Sequence, residues 1–177
     1  IARMDGDDLC AKERFEKEIN VLEQNTEIAI VSTDMHFFDE NGIWGKTYTE
    51  VFPTKKSFLK GTPFCHAACM VRKKAYIDVE GYSVSERLLR VEDYHLWIKM
   101  YAKGYRGMNI QEPLYSMRDD REAQGRRKFK YRLNEAYVKG YAIKALNLQK
   151  WNYIWCFRPI IIGLLPENLY RILHRNK

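Results

Sequence analysis

The sequence predicts an α/β protein, a mixed sheet flanked by helices, followed by a mainly helical tail. Three observations carry this. An amphipathic segment at about residues 11–24 is followed at once by the uncharged β-branched run Ile28-Ala29-Ile30-Val31-Ser32, a helix feeding a strand buried on both faces. A second regular helix, from about Arg90–Glu92 to Gly104, is followed by two short strand patterns. Beyond Arg121 the composition turns basic and helical.

Taken in order, Ile1 to Met4 reads as extended chain entering the acidic stretch Asp5-Gly6-Asp7-Asp8. On a strand, Asp5 and Asp7 project to one side, and Gly6 lets backbone approach a ligand. Two hard carboxylates on one point suit Mg²⁺ or Mn²⁺ with a phosphate-bearing substrate. The same residues read as a turn and a helix N-cap, with Asp8 the cap, and taken alone they read as that turn first. In the following helix Phe15, Ile19 and Leu22 fall at i, i+4 and i+7 and mark its packed face. Asp39-Glu40-Asn41-Gly42 is a turn joining Met35–Phe38 to Ile43–Tyr48 in a hairpin or flap. Residues 51–63 read as loop with a short helix, 67–71 as a strand, and 73–79 as a brief helix stopped before Gly81.

Tyr94, Trp97, Ile98 and Tyr101 give the next helix its periodicity, which assigns Trp97 to the core, and Gly104 supplies its stop. Glu92 and Asp93 lie in the first turn, where the macrodipole and free N–H groups favour carboxylates. They serve either as helix-start residues or as a base held on a rigid element. Residues 105–110 and 114–118 read as two strands separated by Gln111-Glu112-Pro113, and a helix runs on through about Leu148.

The formal charge of +7 is unevenly spread: residues 121–177 hold 13 Lys/Arg against 3 Asp/Glu, leaving residues 1–120 with 17 against 20. A basic tail calls for an anionic partner, nucleic acid or a membrane face. Trp151, Tyr153, Trp155 and Tyr170 mixed with Lys150, Arg158, Arg171 and Arg175 suit a water–lipid interface, though a helix pair packed on the body with solvated cations has the same composition. Ile154–Leu165 is broken by Arg158, Pro159 and Gly163 and is too short to span a bilayer, and no signal peptide is visible. Cys65, His66 and Cys69 lack a second ligand pair for zinc, so Cys10, Cys65, Cys69 and Cys156 are expected as small thiols in a reducing compartment.

Several stretches resemble the family 2 glycosyltransferases, inverting enzymes with a GT-A nucleotide-sugar fold. Ala2-Arg3-Met4-Asp5-Gly6-Asp7-Asp8 is similar to that family's Asp-X-Asp segment, and Lys12–Phe15 with Glu18 to the helix after it. Phe64-Cys65-His66 with Met70-Val71-Arg72 resembles the acceptor-side strand, and Glu80-Gly81-Tyr82 its Gly-Gly-Tyr turn with the first Gly replaced. Val91-Glu92-Asp93-Tyr94-His95-Leu96-Trp97 matches a Glu-Asp-Tyr-Asp-Leu-Trp segment except at His95, and Gly104, Asn109, Glu112-Pro113-Leu114 and Tyr115–Arg118 continue the order. The likeness covers about residues 1–120, and a nucleotide-binding half is expected before Ile1, which makes the chain a piece of a longer protein. Where many members carry a His after the last strand, Asp119-Asp120 stand here, which leaves a third metal ligand from that region unassigned.

Composition sets apart a basic helical tail over 121–177 that suits association with a membrane, and the resemblance implies the C-terminal part of a glycosyltransferase domain over residues 1–120. It implies transfer of a sugar from a nucleotide-diphosphate donor, a UDP-sugar first, to a hydroxyl of a saccharide or lipid-linked acceptor, with inversion, in cell-surface polysaccharide or glycolipid synthesis. Asp7 is implied as direct ligand of Mn²⁺ or Mg²⁺, with Asp5 on the metal or the ribose. Asp93 is implied as base with Glu92 orienting it or the acceptor. His66 lines the acceptor pocket or is an ordinary core or surface histidine; Arg118 reaches a phosphate or is a solvated strand-end charge. The expected location is the cytoplasm, peripherally at the inner membrane face. Competing readings are a non-enzymatic membrane- or nucleic-acid-binding module that uses the tail, with nucleic acid disfavoured as a partner of the enzyme, and a metal-dependent nucleotidyltransferase, which leaves Glu92-Asp93 without a purpose.

Overall fold

A computed structural model describes residues 1–119 and 128–165. The strands are β1 (Leu9–Cys10), β2 (Ile28–Asp39), β3 (Gly42–Lys46), β4 (Met70–Val71) and β5 (Arg106–Arg118). The helices are α1 (Arg14–Gln24), α2 (Lys73–Asp78), α3 (Glu92–Ala102), α4 (Phe129–Ala145) and α5 (Phe157–Leu164). The sheet is mixed, in the order β1-β5-β2-β3, with β4 also on β2. Strands β2 and β5 are parallel from Ile28↔Arg106 to Phe38↔Arg118, and the pairs β1–β5, β2–β3 and β2–β4 are antiparallel. Helices flank this sheet and further helices follow it, the arrangement of a partial GT-A fold.

Strand β2 is central because its first eight residues are all buried, which only a strand covered on both faces tolerates. It runs on past Ser32, since Met35–Phe38 continues the same strand into the β2–β3 hairpin, closed at Gly42 with φ +105° and bulged between Phe37 and Phe38. The two strand patterns at 105–118 are one strand, β5. Gln111-Glu112-Pro113 is an irregularity in its pairing with Thr33–Met35, where Pro113 offers no N–H to the ladder. Of the expected 67–71 strand only Met70–Val71 forms β4, because His66–Ala68 closes a 3₁₀ turn first and Cys69 leads out of it in extended form.

Helix α1 departs most from its pattern. Its buried residues are Arg14, Glu18 and Leu22, at i, i+4 and i+8, while Phe15 and Ile19 are 41% and 43% exposed. A charged pair occupies the stripe that periodicity assigns to apolar residues. Asp8 is not its cap: the helix begins at Arg14, six residues on.

The main core lies between the sheet and α3, where Tyr94, Leu96, Trp97, Ile98, Met100 and Tyr101 meet Ile30, Phe58, Phe64, Val71 and Val91. Helix α4 joins it through Val138, Ala142 and Leu146. His95, where the resemblance has an acidic residue, stacks on Tyr141 of α4 with ring centroids 4.5 Å apart. Cys65 and Cys69 are buried free thiols, and burial pushes both upward, Cys65 to about 11. Among the described residues no helix is long and apolar enough to cross a membrane. Asp120, Arg121, Arg126, Arg127, Tyr170, Arg171 and Arg175 lie outside the described residues.

Candidate active site

The acidic stretch is entered along the edge of β4. Val71 donates its N–H to the Ile1 carbonyl at 2.8 Å and Arg3 donates to the Cys69 carbonyl at 3.0 Å, so residues 1–3 extend the sheet by one short strand. The chain then turns, with the Asp8 N–H reaching the Asp5 carbonyl at 3.4 Å and Gly6 and Asp7 at the corner. The local conformation is thus the turn that the residues alone favour, and it presents carboxylates from a fixed mount. Asp8 is 8% exposed and supplies the mount: its carboxylate accepts from the Tyr115 hydroxyl at 2.7 Å and the Arg118 N–H at 2.8 Å. The Tyr115 hydroxyl also accepts from the Asp5 N–H at 3.1 Å. From below, the buried Arg14 donates Nη2 to the Arg3 carbonyl and Nε to Glu18 at 3.3 Å, and its guanidinium lies 4.9 Å from the Tyr115 ring centroid.

On this mount Asp7 is exposed and bonded to no described residue, whereas Asp5 is half-buried and gripped by Arg3, whose Nε lies 3.0 Å from Oδ1 and Nη2 3.4 Å from Oδ2. A Cβ at Gly6 would meet nothing within 4 Å, so the turn is open on the side a ligand would use. Among the described residues no three His, Cys, Asp or Glu side chains form a closed metal cage. Two solvent-reaching carboxylates fit instead a hard cation whose shell is completed by water and substrate oxygens.

Arg3 also touches His66, its Nη1 against Nε2, and the Tyr82 hydroxyl lies 3.1 Å from the same nitrogen. Donation from Arg3 places the histidine proton on Nδ1. Burial lowers the His66 pKa, with Asp93, Asp5 and Glu92 opposing and Arg3 adding to the fall. That set of charges identifies what the fold collects: the acidic turn, His66 and the head of α3 share one electrostatic neighbourhood. Trp97 is 2% exposed, as a core residue should be, yet its ring packs edge-on to His66 at 5.7 Å. With Arg3, Asp5, His66 and Tyr82 it lines a cavity of about 490 Å³.

Tyr82 reaches this place through the Glu80-Gly81 turn. Both residues have positive φ, +58° and +56°, and a Cβ on Gly81 would stand 2.7 Å from the Tyr76 hydroxyl. Lys99 braces the turn by donating to the Val79 and Gly81 carbonyls at 2.7 and 2.6 Å.

Glu92 and Asp93 occupy the first turn of α3, half-buried. Asp93 lines a second cavity, of about 640 Å³, with Tyr48–Glu50, Ser57, Lys60–Pro63, Arg90, Arg132, Glu135, Arg158 and Ile162. Its wall is the 47–63 segment, latched at several points. Asp34, 2% exposed, accepts from the Thr49 N–H and hydroxyl at 3.0 and 2.8 Å. Asn109 donates to the Glu50 and Pro63 carbonyls at 2.7 and 3.0 Å, Tyr101 to the Pro53 carbonyl at 2.9 Å and Lys139 to the Leu59 carbonyl at 2.8 Å. Asp93 therefore stands between two hollows, facing one and reaching by its charge into the other.

Of the residues singled out from sequence, Asp5, His66, Glu92 and Asp93 come into this neighbourhood, and Asp7 is exposed at the corner of the acidic turn. Arg118 is at the end of β5, where its backbone N–H serves Asp8. Arg3, Tyr82, Arg14 and Tyr115 were not assigned roles by sequence reasoning. Arg14 was detectable as a charge at the buried i, i+4 spacing with Glu18; Arg3, Tyr82 and Tyr115 stand in stretches that carry the family resemblance, but nothing local in them gives a role.

Residues 1–80 match the family described as Glycosyl transferase family 2. Over these residues the chain is similar to the family 2 glycosyltransferases, and the relatives that follow extend the likeness along its length. It is 37% identical over its whole length to EpsE of Bacillus subtilis (strain 168), named provisionally as a glycosyltransferase, and covers 64% of that relative. It is 32% identical over 98% of its length to an Escherichia coli UDP-Gal:alpha-D-GlcNAc-diphosphoundecaprenol beta-1,3-galactosyltransferase, covering 61% of it. Over 67% of its length it is 31% identical to the amylovoran biosynthesis glycosyltransferase AmsE of Erwinia amylovora, covering 44% of it. The chain thus spans less than two thirds of each of these relatives.

Proposed function

We propose that this chain is the metal-binding and acceptor-side portion of an inverting glycosyltransferase acting in surface polysaccharide or glycolipid synthesis. The observation that carries the reading is the convergence of Asp5, His66, Glu92 and Asp93 on one neighbourhood, with Asp93 opening onto a cavity large enough for a saccharide. The donor is a nucleotide-diphosphate sugar. A UDP-sugar is the first candidate, since the Escherichia coli relative is named for UDP-Gal.

Asp7, with Asp5 beside it, would hold Mn²⁺ or Mg²⁺, which supplies neutralisation of the diphosphate leaving group. Asp5 is already shared with Arg3, so Asp7 takes the direct ligand role and Arg3–Asp5 sets the charge around it. Asp93 accepts the proton of the acceptor hydroxyl as that oxygen attacks the anomeric carbon, and Glu92 orients the acceptor. Attack from the face opposite the leaving diphosphate inverts the centre. His66, neutral by burial and tied to Tyr82, lines the pocket floor and holds a neutral hydrogen-bonding surface between the two carboxylate sites. Arg118, whose backbone N–H is bonded to Asp8 beside the acidic turn, stays a phosphate-side candidate through its charge. The tail is proposed to lie peripherally on the inner membrane face, through exposed Trp151, Ile154 and Phe157.

Initial-rate sugar transfer by the full-length protein tests the reading. Asp7→Ala and Asp93→Asn should each remove activity while leaving the thermal melt in place, and activity retained in both would refute it.

A further inference from the structure

The cavity in front of Asp93 is more than a saccharide slot, because its far side is built from guanidinium and ammonium groups. Lys60, Arg90, Arg132 and Arg158 line it, drawn from the latched loop, the turn before α3, the start of α4 and the start of α5. The carboxylates among them have other duties. Glu135 lies 3.4 Å from Arg132 and 3.9 Å from the buried Lys139, and Glu50 accepts from the Ser57 hydroxyl at 2.6 Å. Asp93 is the proposed base. Exposed Lys60, Arg90 and Arg158 remain as cations whose side chains make no ion pair with a described residue; Arg158 donates only to the Lys60 carbonyl, at 3.1 Å.

Two features of the backbone hold these cations in place. Arg90 has φ +71°, in the left-handed region that a bulky side chain enters at a cost, and it immediately precedes Val91 and the Glu92-Asp93 pair. Gly163 allows α5 to close on α4: a Cβ there would stand 2.9 Å from Phe129 Cδ2 and 3.1 Å from Arg132 Cγ. That approach brings Arg158 and Ile162 of α5 to the same cavity as Arg132 of α4. Outside the cavity the same short helix carries Phe157, Ile161 and Leu164, at i, i+4 and i+7, exposed by 59%, 58% and 69%. An apolar stripe thus runs out from the cationic wall.

We infer that this cavity seats the diphosphate of a lipid-linked acceptor: the acceptor sugar at Asp93, its diphosphate on Arg90, Arg158 and Lys60, and the hydrocarbon chain along the Phe157-Ile161-Leu164 stripe. Arginine forks match phosphate oxygens in pairs, and the cations lie where an anion beside the acceptor sugar would fall, away from the Asp5–Asp7 turn that serves the donor. The inference rests on the reading of Asp93 as the acceptor-side base.

The test is equilibrium binding to the full-length protein in EDTA at fixed ionic strength, with no donor, using farnesyl diphosphate, farnesol and inorganic pyrophosphate as probes. Without metal or donor, the outcome is independent of whether Asp93 acts as a base. Farnesyl diphosphate should bind at least tenfold more tightly than either farnesol or pyrophosphate. The Arg90→Gly/Arg158→Gln pair should weaken it by at least tenfold, and Asp7→Ala should leave it unchanged. Arg90→Gly relieves the strained φ, so loss of binding with an undiminished melting temperature is a loss of the guanidinium; Lys60→Glu, at an exposed site, gives the same readout should the pair fold poorly. Unchanged binding in these variants, or farnesol binding as well as the diphosphate, would overturn the inference. Pyrophosphate binding as tightly as farnesyl diphosphate would remove the lipid from it.

Discussion

Replacing Arg14 by Met tests how the acidic turn is held. Arg14 and Glu18 are both 0% exposed, 3.3 Å apart, and Glu18 Oε2 has no hydrogen-bond partner among the described residues. The substitution preserves most of the volume and removes the charge. Breaking a buried pair in this way costs about 3–5 kcal/mol at a pH high enough to keep the carboxylate ionised, because it is then left buried alone. That is roughly a third or more of a typical domain's 5–15 kcal/mol. The size must depend on pH. Burial already raises Glu18 to about 7 against the lowering influence of Arg14. Without Arg14 the group rises further, so at pH 6 it is protonated and the loss is small. Above pH 7 the cost grows by about 1.4 kcal/mol per pH unit until ionisation or unfolding supervenes. Urea unfolding followed by tryptophan fluorescence at pH 6 and pH 8 measures this. Glu18→Gln in the Arg14→Met background should recover most of the pH 8 loss. A loss below about 1 kcal/mol at pH 8, or one equal at both pH values, would refute the buried-pair account. Because Arg14 also donates to the Arg3 carbonyl, the same variant should weaken donor binding even where it remains folded.

Other consequences are more local. In the wild type the raised Glu18 carboxyl stabilises the fold below its unfolded pKa, and that contribution fades as pH rises toward about 7; Glu18→Gln should flatten this slope in a pH series of melts. His66 and His95 have the opposite sign: burial lowers both, so their contribution is present above about pH 6.5 and is lost as pH falls below it, and His95→Gln should reduce the acid-side loss. Gly81→Ala forces a positive-φ alanine against Tyr76 and should cost about 1–3 kcal/mol in thermal or urea unfolding. The acceptor KM should rise with it as Tyr82 shifts. Asp34→Ala removes the acceptor for Thr47 and Thr49, and limited proteolysis should then cut the 47–63 segment faster than in the wild type.

The sequence patterns that survived folding were those set by local chemistry. The helix periodicity at Tyr94–Tyr101, the uncharged run at Ile28–Ser32 and the Gly42 and Gly104 stops each produced the expected element, because propensity and burial point the same way there. The α1 face did not follow its apolar pattern, since Arg14 is drawn inward by the Arg3 carbonyl, Tyr115 and Glu18, partners that come from residues remote along the chain or hidden within the polar stripe. Asp8 was misread for the same reason: its partners, Tyr115 and Arg118, are over a hundred residues away. Asp5, Asp7, Glu92 and Asp93 were legible as a candidate site because their order resembles a family pattern. The Arg3, Tyr82 and Arg90 contributions needed coordinates, which alone reveal the His66 contacts and the strained φ.

The central claim, that Asp93 is the acceptor-side base of a metal-dependent sugar transfer, is tested most directly by single-turnover transfer with Asp93→Asn in the full-length enzyme. The amide keeps the shape and removes the proton acceptor. The rate of the chemical step should fall by about 10²–10⁴-fold, with donor affinity unchanged. A chemical step within a factor of about three of the wild type, with the variant folded and saturated, would contradict the account.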